Sequence, residues 1–227
     1  MTREHYDGML RRLDDQVLEL GELVASTIES CVDALDDRDT AAAQHLIEAD
    51  NRIDDKRYEI ERAALLLIAT QQPLAGDLRN IAAILTIATE LERIGDYCEG
   101  IAKLSLRMAA ETIDTPMADI RSMSTITERL LRRALHAFKE RDLEAAGSVW
   151  SQDDEVDSLY GEVFQKLLAA MVQDKETVRG GTYLMWVAHN IERMADRVTN
   201  IAERVAFVVT GDVAAFRERR RAQSIPS

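Results

Sequence analysis

The two halves of this chain repeat each other in register, and most of the repeated residues are charged. Each half carries an Arg-Asp pair, then an Asp-x-x-x-Asp motif, then a Glu-Arg-x-x-Asp motif. An offset of 103 residues aligns the first part, namely Arg38-Asp39 with Arg141-Asp142, Asp50 with Asp153 and Asp54 with Asp157. An offset of 100 residues aligns the rest, namely Arg79 with Arg179, Glu92-Arg93 with Glu192-Arg193 and Asp96 with Asp196. Such a run indicates an internal duplication, and the change of offset predicts a second hairpin turn that is three residues shorter.

Apolar residues recur at three- and four-residue steps almost without a break, which is typical of helices. Only 10 glycines and 3 prolines interrupt the 227 residues, and aromatic residues make up 5%, whereas strand-rich chains use more turn-forming and aromatic residues. The pattern predicts an all-α fold of six long helices over residues 3–36, 40–71, 73–108, 117–140, 142–173 and 176–209. The polar segment 36–40 can cap the second helix, and Pro73 is expected at the start of the third.

The repeat divides the chain into two units of three helices each. We assign residues 1–110 to the first unit and residues 117–210 to the second, because Pro116 and the small polar residues before it interrupt the helical pattern. Residues 211–227 are polar and basic, with Arg219-Arg220-Arg221 at their centre. This segment is expected to be a frayed, flexible tail, and the alternative is a short basic contact site.

The charge and the cysteines restrict the setting in which the chain acts. A formal net charge of −13 argues against nucleic-acid binding, because phosphates would be repelled, and it is compatible with cations. Two cysteines, Cys31 and Cys98, suggest no disulfide framework and fit a reducing compartment. The N-terminus lacks an apolar leader, and no uncharged apolar stretch approaches a membrane span. We therefore expect a cytoplasmic protein that reaches a membrane only through partners.

The acidic residues of each half are predicted to meet at one height. Two side chains four residues apart lie within about 40° of each other on a helix face. Residues at one level of an antiparallel helix pair share a midpoint in the sequence, and Asp50 with Asp96 and Asp54 with Glu92 both centre on residue 73. In the second half the equivalent pairs centre on 174.5. The predicted sets are Asp50, Asp54, Glu92 and Asp96, and then Asp153, Asp157, Glu192 and Asp196.

Two explanations for these carboxylates remain open at this point. Glu92 and Glu192 follow apolar stripes and have small neighbours such as Gly95 and Ala195, so they are expected to be partly buried. A partly buried carboxylate must be paired, protonated or bound to metal. In the first explanation, arginines neutralise the acids through salt bridges, the candidates being Arg52, Arg93, Arg193 and Arg197. In the second, the oxygens of two helices coordinate cations, and all-oxygen ligation suits Mg²⁺, Mn²⁺, Ca²⁺ or iron.

No other pattern points to a catalytic site. The chain has no glycine-rich phosphate loop, no nucleophile elbow and no zinc-type spacing of Cys and His. His5, His45, His136 and His189 lie outside the motifs, which disfavours a di-iron oxidase built on Glu-x-x-His. We expect them to be surface or packing histidines, and Trp150 and Trp186 to be packing aromatics. The chain is thus predicted not to be an enzyme. The alternative, a carboxylate-bridged metal phosphatase or oxidase, would reveal itself by phosphate release or O₂ consumption.

At these motifs the chain resembles the PhoU family of accessory proteins of the phosphate-specific transport system. The resemblance covers roughly residues 3–210. It is carried by Asp50-x-x-x-Asp54, by Gln71-Gln72-Pro73-Leu74-Ala75-Gly76-Asp77-Leu78-Arg79, by Leu91-Glu92-Arg93-Ile94-Gly95-Asp96, by Ile191-Glu192-Arg193-Met194-Ala195-Asp196 and by Asn200-Ile201-Ala202-Glu203. The chain departs from the pattern at Gly100, where the second half has Asn200, so the two sites are expected to differ in occupancy or ion.

The resemblance implies a fold, a cofactor and a role. The implied fold is a pair of three-helix bundles related by pseudo-twofold symmetry. The implied cofactors are iron clusters or other divalent ions at the acidic motifs, with Fe, Mn, Mg and Zn as candidates. The implied role is a negative regulator of phosphate uptake and starvation signalling that links the phosphate ABC transporter ATPase to a sensor histidine kinase. A homodimer is one assembly that the resemblance allows.

Overall fold

The computed structural model describes residues 3–109 and 116–212. Its long helices are α1 Arg3–Asp36, α2 Thr40–Gln71, α3 Ala75–Met108, α4 Met117–Glu140, α5 Leu143–Gln173 and α6 Val178–Thr210. The prediction of an all-α fold with six long helices is confirmed in the described part of the chain. Of the predicted unit boundary only Pro116 is described, and of the predicted tail only Gly211 and Asp212. The basic residues of that tail lie outside the described residues.

The repeated Arg-Asp pairs form the turns that lead into α2 and α5. Arg38 and Arg141 both adopt the left-handed conformation, with φ of 55° and 57°. Asp39 and Asp142 follow as N-caps, and each carboxylate accepts hydrogen bonds from two backbone N–H groups of the next helix. An aspartate at this position satisfies donors that have no partner inside the helix. The repeated Arg-Asp pair therefore has a structural role, in which the arginine forms the turn and the aspartate caps the next helix.

The two hairpins differ in length as the change of offset predicts. Three residues, 72–74, connect α2 to α3, whereas Asp174 alone connects α5 to the 3₁₀ turn Lys175–Thr177 that precedes α6. The turn thus loses two residues, and α5 is one residue shorter than α2. Pro73 does not open α3 as expected, because Leu74 is the N-cap and the helix begins at Ala75. Gln72 is left-handed instead and ends α2.

Each half folds as a three-helix bundle, and the two bundles share an apolar core. Within the halves, α1 packs on α2 and α3, and α4 packs on α5 and α6. Between the halves, α3 packs on α6 and α1 packs on α4. The buried residues of both halves belong to a continuous cluster that includes Leu20, Ile94, Leu131 and Ile191. The helices α2 and α5, which carry the Asp-x-x-x-Asp motifs, therefore lie on the outer sides of the molecule.

No helix in the described residues is long and apolar enough to cross a lipid bilayer. Both cysteines are buried free thiols. Cys98 on α3 is in hydrogen-bond contact with Cys31 on α1, and burial raises the pKa of the Cys98 thiol well above its ordinary value. The thiols therefore act as packing groups between these two helices.

Candidate functional site

The first set of carboxylates lies where α2 packs against α3. A Cβ added to Gly95 would lie 3.2 Å from Asp50 Oδ1 and 2.9 Å from Ile53 Cδ1. The Asp50 carboxylate therefore rests directly on the α3 backbone, and any larger residue at Gly95 would displace it. This contact matches the predicted register, which places Asp50 level with Asp96.

Burial and mutual repulsion both disfavour charge on the acids of this first set. The pKa of Asp50 is raised to about 6, first by burial and then by Glu99, Asp96 and Asp54, whereas Lys103 opposes the shift. The pKa of Glu92 is raised by burial and by Asp96 and Asp54, and the pKa of Asp96 is raised by burial, Asp54 and Glu99. The four predicted side chains thus lie within electrostatic reach of one another, together with a fifth acid, Glu99. A site of this kind favours either protons or cations.

The second set occupies the equivalent place between α5 and α6, with different surroundings. Burial raises the pKa of Glu192, and Asp196 and Asp157 contribute, while His189 and Arg193 oppose the shift. Asp196 is paired with Arg193 at 2.9 Å. Asp153 is buried, at 4% exposure, and it interacts with a neighbour. The sequence repeat therefore preserves the acids, but the charges around them have diverged.

The arginines named in the salt-bridge explanation reach these acids only in part. Among the ion pairs of the described residues, Arg193 contacts a motif carboxylate, Asp196, whereas Arg93 and Arg197 bind Glu90 at 3.3 Å and 3.4 Å. Within residues 3–109 and 116–212, no three His, Cys, Asp or Glu side chains are oriented so that they could already hold a metal ion. Metal binding at the eight residues therefore stays a prediction.

His189 lies in the second site, although the sequence pattern predicted a surface or packing histidine outside the motifs. Its Nδ1 lies 3.5 Å from Glu192 Oε2, and its ring lies 6.1 Å from that of Tyr160. Glu192 Oε2 is buried and has no hydrogen-bond partner among the described residues. The spacing of three residues between His189 and Glu192 was visible in the sequence and is the usual spacing of contacting helix side chains. The equivalent residue in the first half is Thr89, so the two sites differ in available ligand types.

A buried polar network joins the two halves beside the carboxylates. Glu90 on α3, with 9% of its side chain exposed, is contacted by Arg197 at 3.4 Å and accepts a hydrogen bond from Asn200 at 3.1 Å. At the symmetry-related place Asn190 packs on Gly100, 3.1 Å from where a Cβ would be. The difference between Gly100 and Asn200 was visible in the aligned repeats. The difference between Glu90 and Asn190, at the other equivalent pair of positions, was not among the predictions. Across the interface, Glu90 pairs with Asn200, and Asn190 pairs with Gly100. The smaller residue at position 190 thus meets the smaller residue at position 100.

The two tryptophans differ in environment. Trp150 is buried, and its indole N–H donates to the carbonyl of Thr199 at 3.4 Å. Trp186 is 50% exposed on the outer side of α6, next to Tyr183. The expectation that both are packing residues is therefore wrong for Trp186, because position 186 faces away from the core that α6 shares with α5 and α3.

Comparison with known proteins gives consistent matches over both halves. The PhoU domain family matches residues 17–105 and 120–205. The phosphate-specific transport system accessory protein PhoU homolog of Clostridium acetobutylicum is 37% identical over 212 residues, which cover 93% of this chain and 97% of that protein. The homolog of Caulobacter vibrioides is 38% identical, with coverage of 93% and 92%.

Solved structures agree with these matches. The phosphate transport system regulatory protein PhoU from Streptococcus pneumoniae has a TM-score of 0.85 and 28% identity, covering 92% of this chain and 98% of that chain. PhoU from Pseudomonas aeruginosa has a TM-score of 0.87 and 29% identity, covering 91% and 100%. The arrangement of the six helices is therefore shared with both solved proteins.

Proposed function

The chain belongs to the PhoU family, and we propose that it is a regulatory adaptor that restrains phosphate uptake and phosphate-starvation signalling. The observation that carries this proposal is the match of both repeats to a family whose relatives are named accessory proteins of a phosphate-specific transport system. The match extends over nearly the whole length of those relatives, so it includes both acidic hairpins. A rigid helical body with two related faces also suits a protein that holds two partners.

Gene replacement in the source organism tests the regulatory role. Deleting the gene should raise phosphate uptake and the expression of a phosphate-starvation reporter in phosphate-rich medium. Restoring the intact chain should return both to the original level. Uptake and reporter levels that do not respond to the deletion would refute the proposal.

The partners that this role requires are a sensor histidine kinase and the ATPase subunit of a phosphate ABC transporter. We place the adaptor in the cytoplasm, where both partners expose soluble parts. Contact with the membrane is then indirect, through these proteins. Pull-down of each purified partner by the tagged full chain tests this, with the tag alone as a control. Retention of neither partner would refute the linking role, and a self-association constant from sedimentation would decide the homodimer.

We further propose that the two carboxylate sets bind divalent or iron ions. The support is the concentration of acid in the first set, where Asp54 and Asp96 each raise the pKa values of Asp50 and Glu92, and Asp54 also raises that of Asp96. A bound cation would remove this repulsion and would connect α2 to α3, and α5 to α6. Oxygen ligands favour Mg²⁺, Mn²⁺ or iron, and His189 gives the second set a ligand that also suits Zn²⁺.

Elemental analysis tests the metal proposal. Asp96→Ala/Asp196→Ala removes one ligand from each set, and a matched control, Glu59→Ala/Glu162→Ala, removes two exposed acids at equivalent positions outside the sets. Wild type and control should retain the same metal content after dialysis, and the D96A/D196A variant should lose most of it. Equal metal content in all three proteins would refute the proposal without bearing on the regulatory role.

A further inference from the structure

The outer face of α5 presents a row of apolar side chains at four-residue spacing. We name it the α5 strip, and it consists of Tyr160, Phe164, Leu168 and Val172. Phe164 is 37% exposed, Leu168 41% and Val172 79%. The Tyr160 ring contacts the Phe164 ring at 6.4 Å and the His189 ring at 6.1 Å. Contiguous apolar side chains on a protein surface mark an interaction site more often than scattered ones do.

The first half of the molecule shows that the fold does not require the aromatic pair Tyr160 and Phe164. The equivalents of Tyr160 and Phe164 on α2 are Arg57 and Glu61, and they form an ion pair at 2.8 Å. The two hairpins otherwise share their register, the aspartate N-caps of α2 and α5, and the acidic motifs. Since a polar pair occupies the equivalent positions in one hairpin, packing between the helices does not by itself require the aromatic pair in the other.

The charges around the α5 strip restrict the chemistry of a partner that could bind it. The hairpin segment from residue 150 to residue 192 contains eight acidic residues and three basic ones. One of the basic residues, Lys166, is engaged by Asp119 at 2.6 Å. At its start the strip runs into Asp157 and the second carboxylate set. An anionic membrane surface, a nucleic acid and a second copy of this acidic chain would all be repelled, whereas a cationic partner would be attracted.

We propose that the α5 strip is the docking surface for an amphipathic, lysine- or arginine-rich helix of a partner protein. A row at positions i, i+4, i+8 and i+12 forms a continuous ridge inclined to the axis of α5, and such a ridge can pack against the apolar stripe of a second helix. The stripe of the partner covers Phe164 and Leu168, and its cationic residues lie over the acids of α5. Aromatic anchors of this kind dominate helix-docking interfaces. The proposal rests on the adaptor role and adds the chemistry of one partner.

Peptide binding to the full chain tests the docking surface. The probe is a fluorescein-labelled peptide of about 18 residues, long enough to be helical when bound, with leucines at three- and four-residue steps and lysines elsewhere. Fluorescence anisotropy should show saturable binding. Phe164→Ser/Leu168→Ser should weaken it by about tenfold or more. The matched control is Leu65→Ser/Leu66→Ser, which removes two leucines exposed by 53% and 56% near the tip of the first hairpin, and it should retain wild-type binding within about twofold.

Several outcomes would overturn the proposal. They are equal binding by F164S/L168S and wild type, an equal loss in L65S/L66S, equal binding of a scrambled peptide of the same composition, and preferential binding of vesicles rich in anionic lipid. Circular dichroism melting curves verify that every variant is folded at the temperature of the binding measurement. The result is separable from the adaptor role, since a chain that regulates uptake but does not bind the peptide refutes the strip alone.

Discussion

The two carboxylate sets are built on the same register, yet they handle their charge in different ways. In the first set, acids face acids, because Glu99 joins Asp50, Asp54 and Asp96, and the pKa of Asp50 rises to about 6. In the second set, Arg193 pairs with Asp196, and His189 lies beside Glu192. Duplication therefore copied a geometry, and later substitutions next to it changed the electrostatics. The first set has more to gain from a bound cation.

The same divergence extends to the interface between the halves. Glu90 is held by Arg93, Arg197 and Asn200, while its counterpart Asn190 packs on Gly100. A symmetric pair of glutamates would bury two charges, and a symmetric pair of asparagine–glycine contacts would bury none. The observed arrangement has one charged pair and one neutral pair.

The largest expected effect comes from breaking this asymmetric network. Glu90→Ala leaves Arg197, whose side chain is 16% exposed, without its carboxylate at a buried interface, and we expect a loss of about 3 kcal/mol in the free energy of unfolding. Asn190→Ala should change it by less than about 1 kcal/mol, because an amide is replaced by a better helix former. Urea denaturation of the two variants measures both values. A similar loss in the two would contradict the unequal roles assigned to these positions.

A smaller effect is expected from the acids of the first set, and it depends on pH. The pKa of Asp50 is raised in the folded protein, so folding favours the proton, and stability falls as the pH rises from about 4 to about 6. Asp50→Asn removes this penalty. In metal-free protein it should raise the free energy of unfolding by about 1 kcal/mol at pH 8, after discounting for the exposed part of the carboxylate.

The gain from Asp50→Asn should shrink as the pH is lowered towards about 5, because the wild-type carboxyl is then largely protonated. Urea melts of both proteins at the two pH values, in the presence of a chelator, provide the measurement. A gain that is the same at both pH values would show that repulsion at Asp50 is not its cause.

The smallest effect compares equivalent acids directly. Asp96 is surrounded by Asp54 and Glu99, whereas Asp196 is paired with Arg193 at 2.9 Å with both side chains 38% exposed. Asp96→Asn should therefore stabilise metal-free protein at pH 8 by about 0.5 kcal/mol, and Asp196→Asn should destabilise it by a similar amount. Thermal melts with an added chelator test the opposite signs. Shifts of the same sign would mean that the two sets are electrostatically alike.

Much of the fold could be read from the sequence, because local periodicity and turn chemistry carry it. The helix bounds agree with the predicted ones within two residues, and the level of Asp50 with α3 follows from hairpin arms of equal length. The prediction that Pro73 begins α3 was wrong. A proline can stand just before the N-cap as well as in the first helical turn, and the sequence pattern does not distinguish the two positions. Trp186 was misjudged because periodicity assigns a face to a residue but does not reveal whether another helix covers that face.

The candidate site was only partly predictable. The eight acids were found because they repeat, and repetition is a property of sequence. The charged neighbours of these acids were not predicted. Lys103, Glu99 and His189 affect the acids because of their positions in the folded protein and because the acids are partly buried. The environment of a charge depends on every helix that packs near it, and α3 and α6 come from different halves of the chain.

The sequence by itself predicted six helices, the cap of the second helix, the doubled hairpin and the level of each set of acids, because these depend on spacing along one chain segment. The tertiary structure alone decided which acids repel and which are paired, how Glu90 and Asn190 divide the interface, and which apolar row of α5 is left exposed. These outcomes arise from packing between segments that are about a hundred residues apart in the chain, such as Glu90 and Asn200, and side-chain spacing carries no record of that packing.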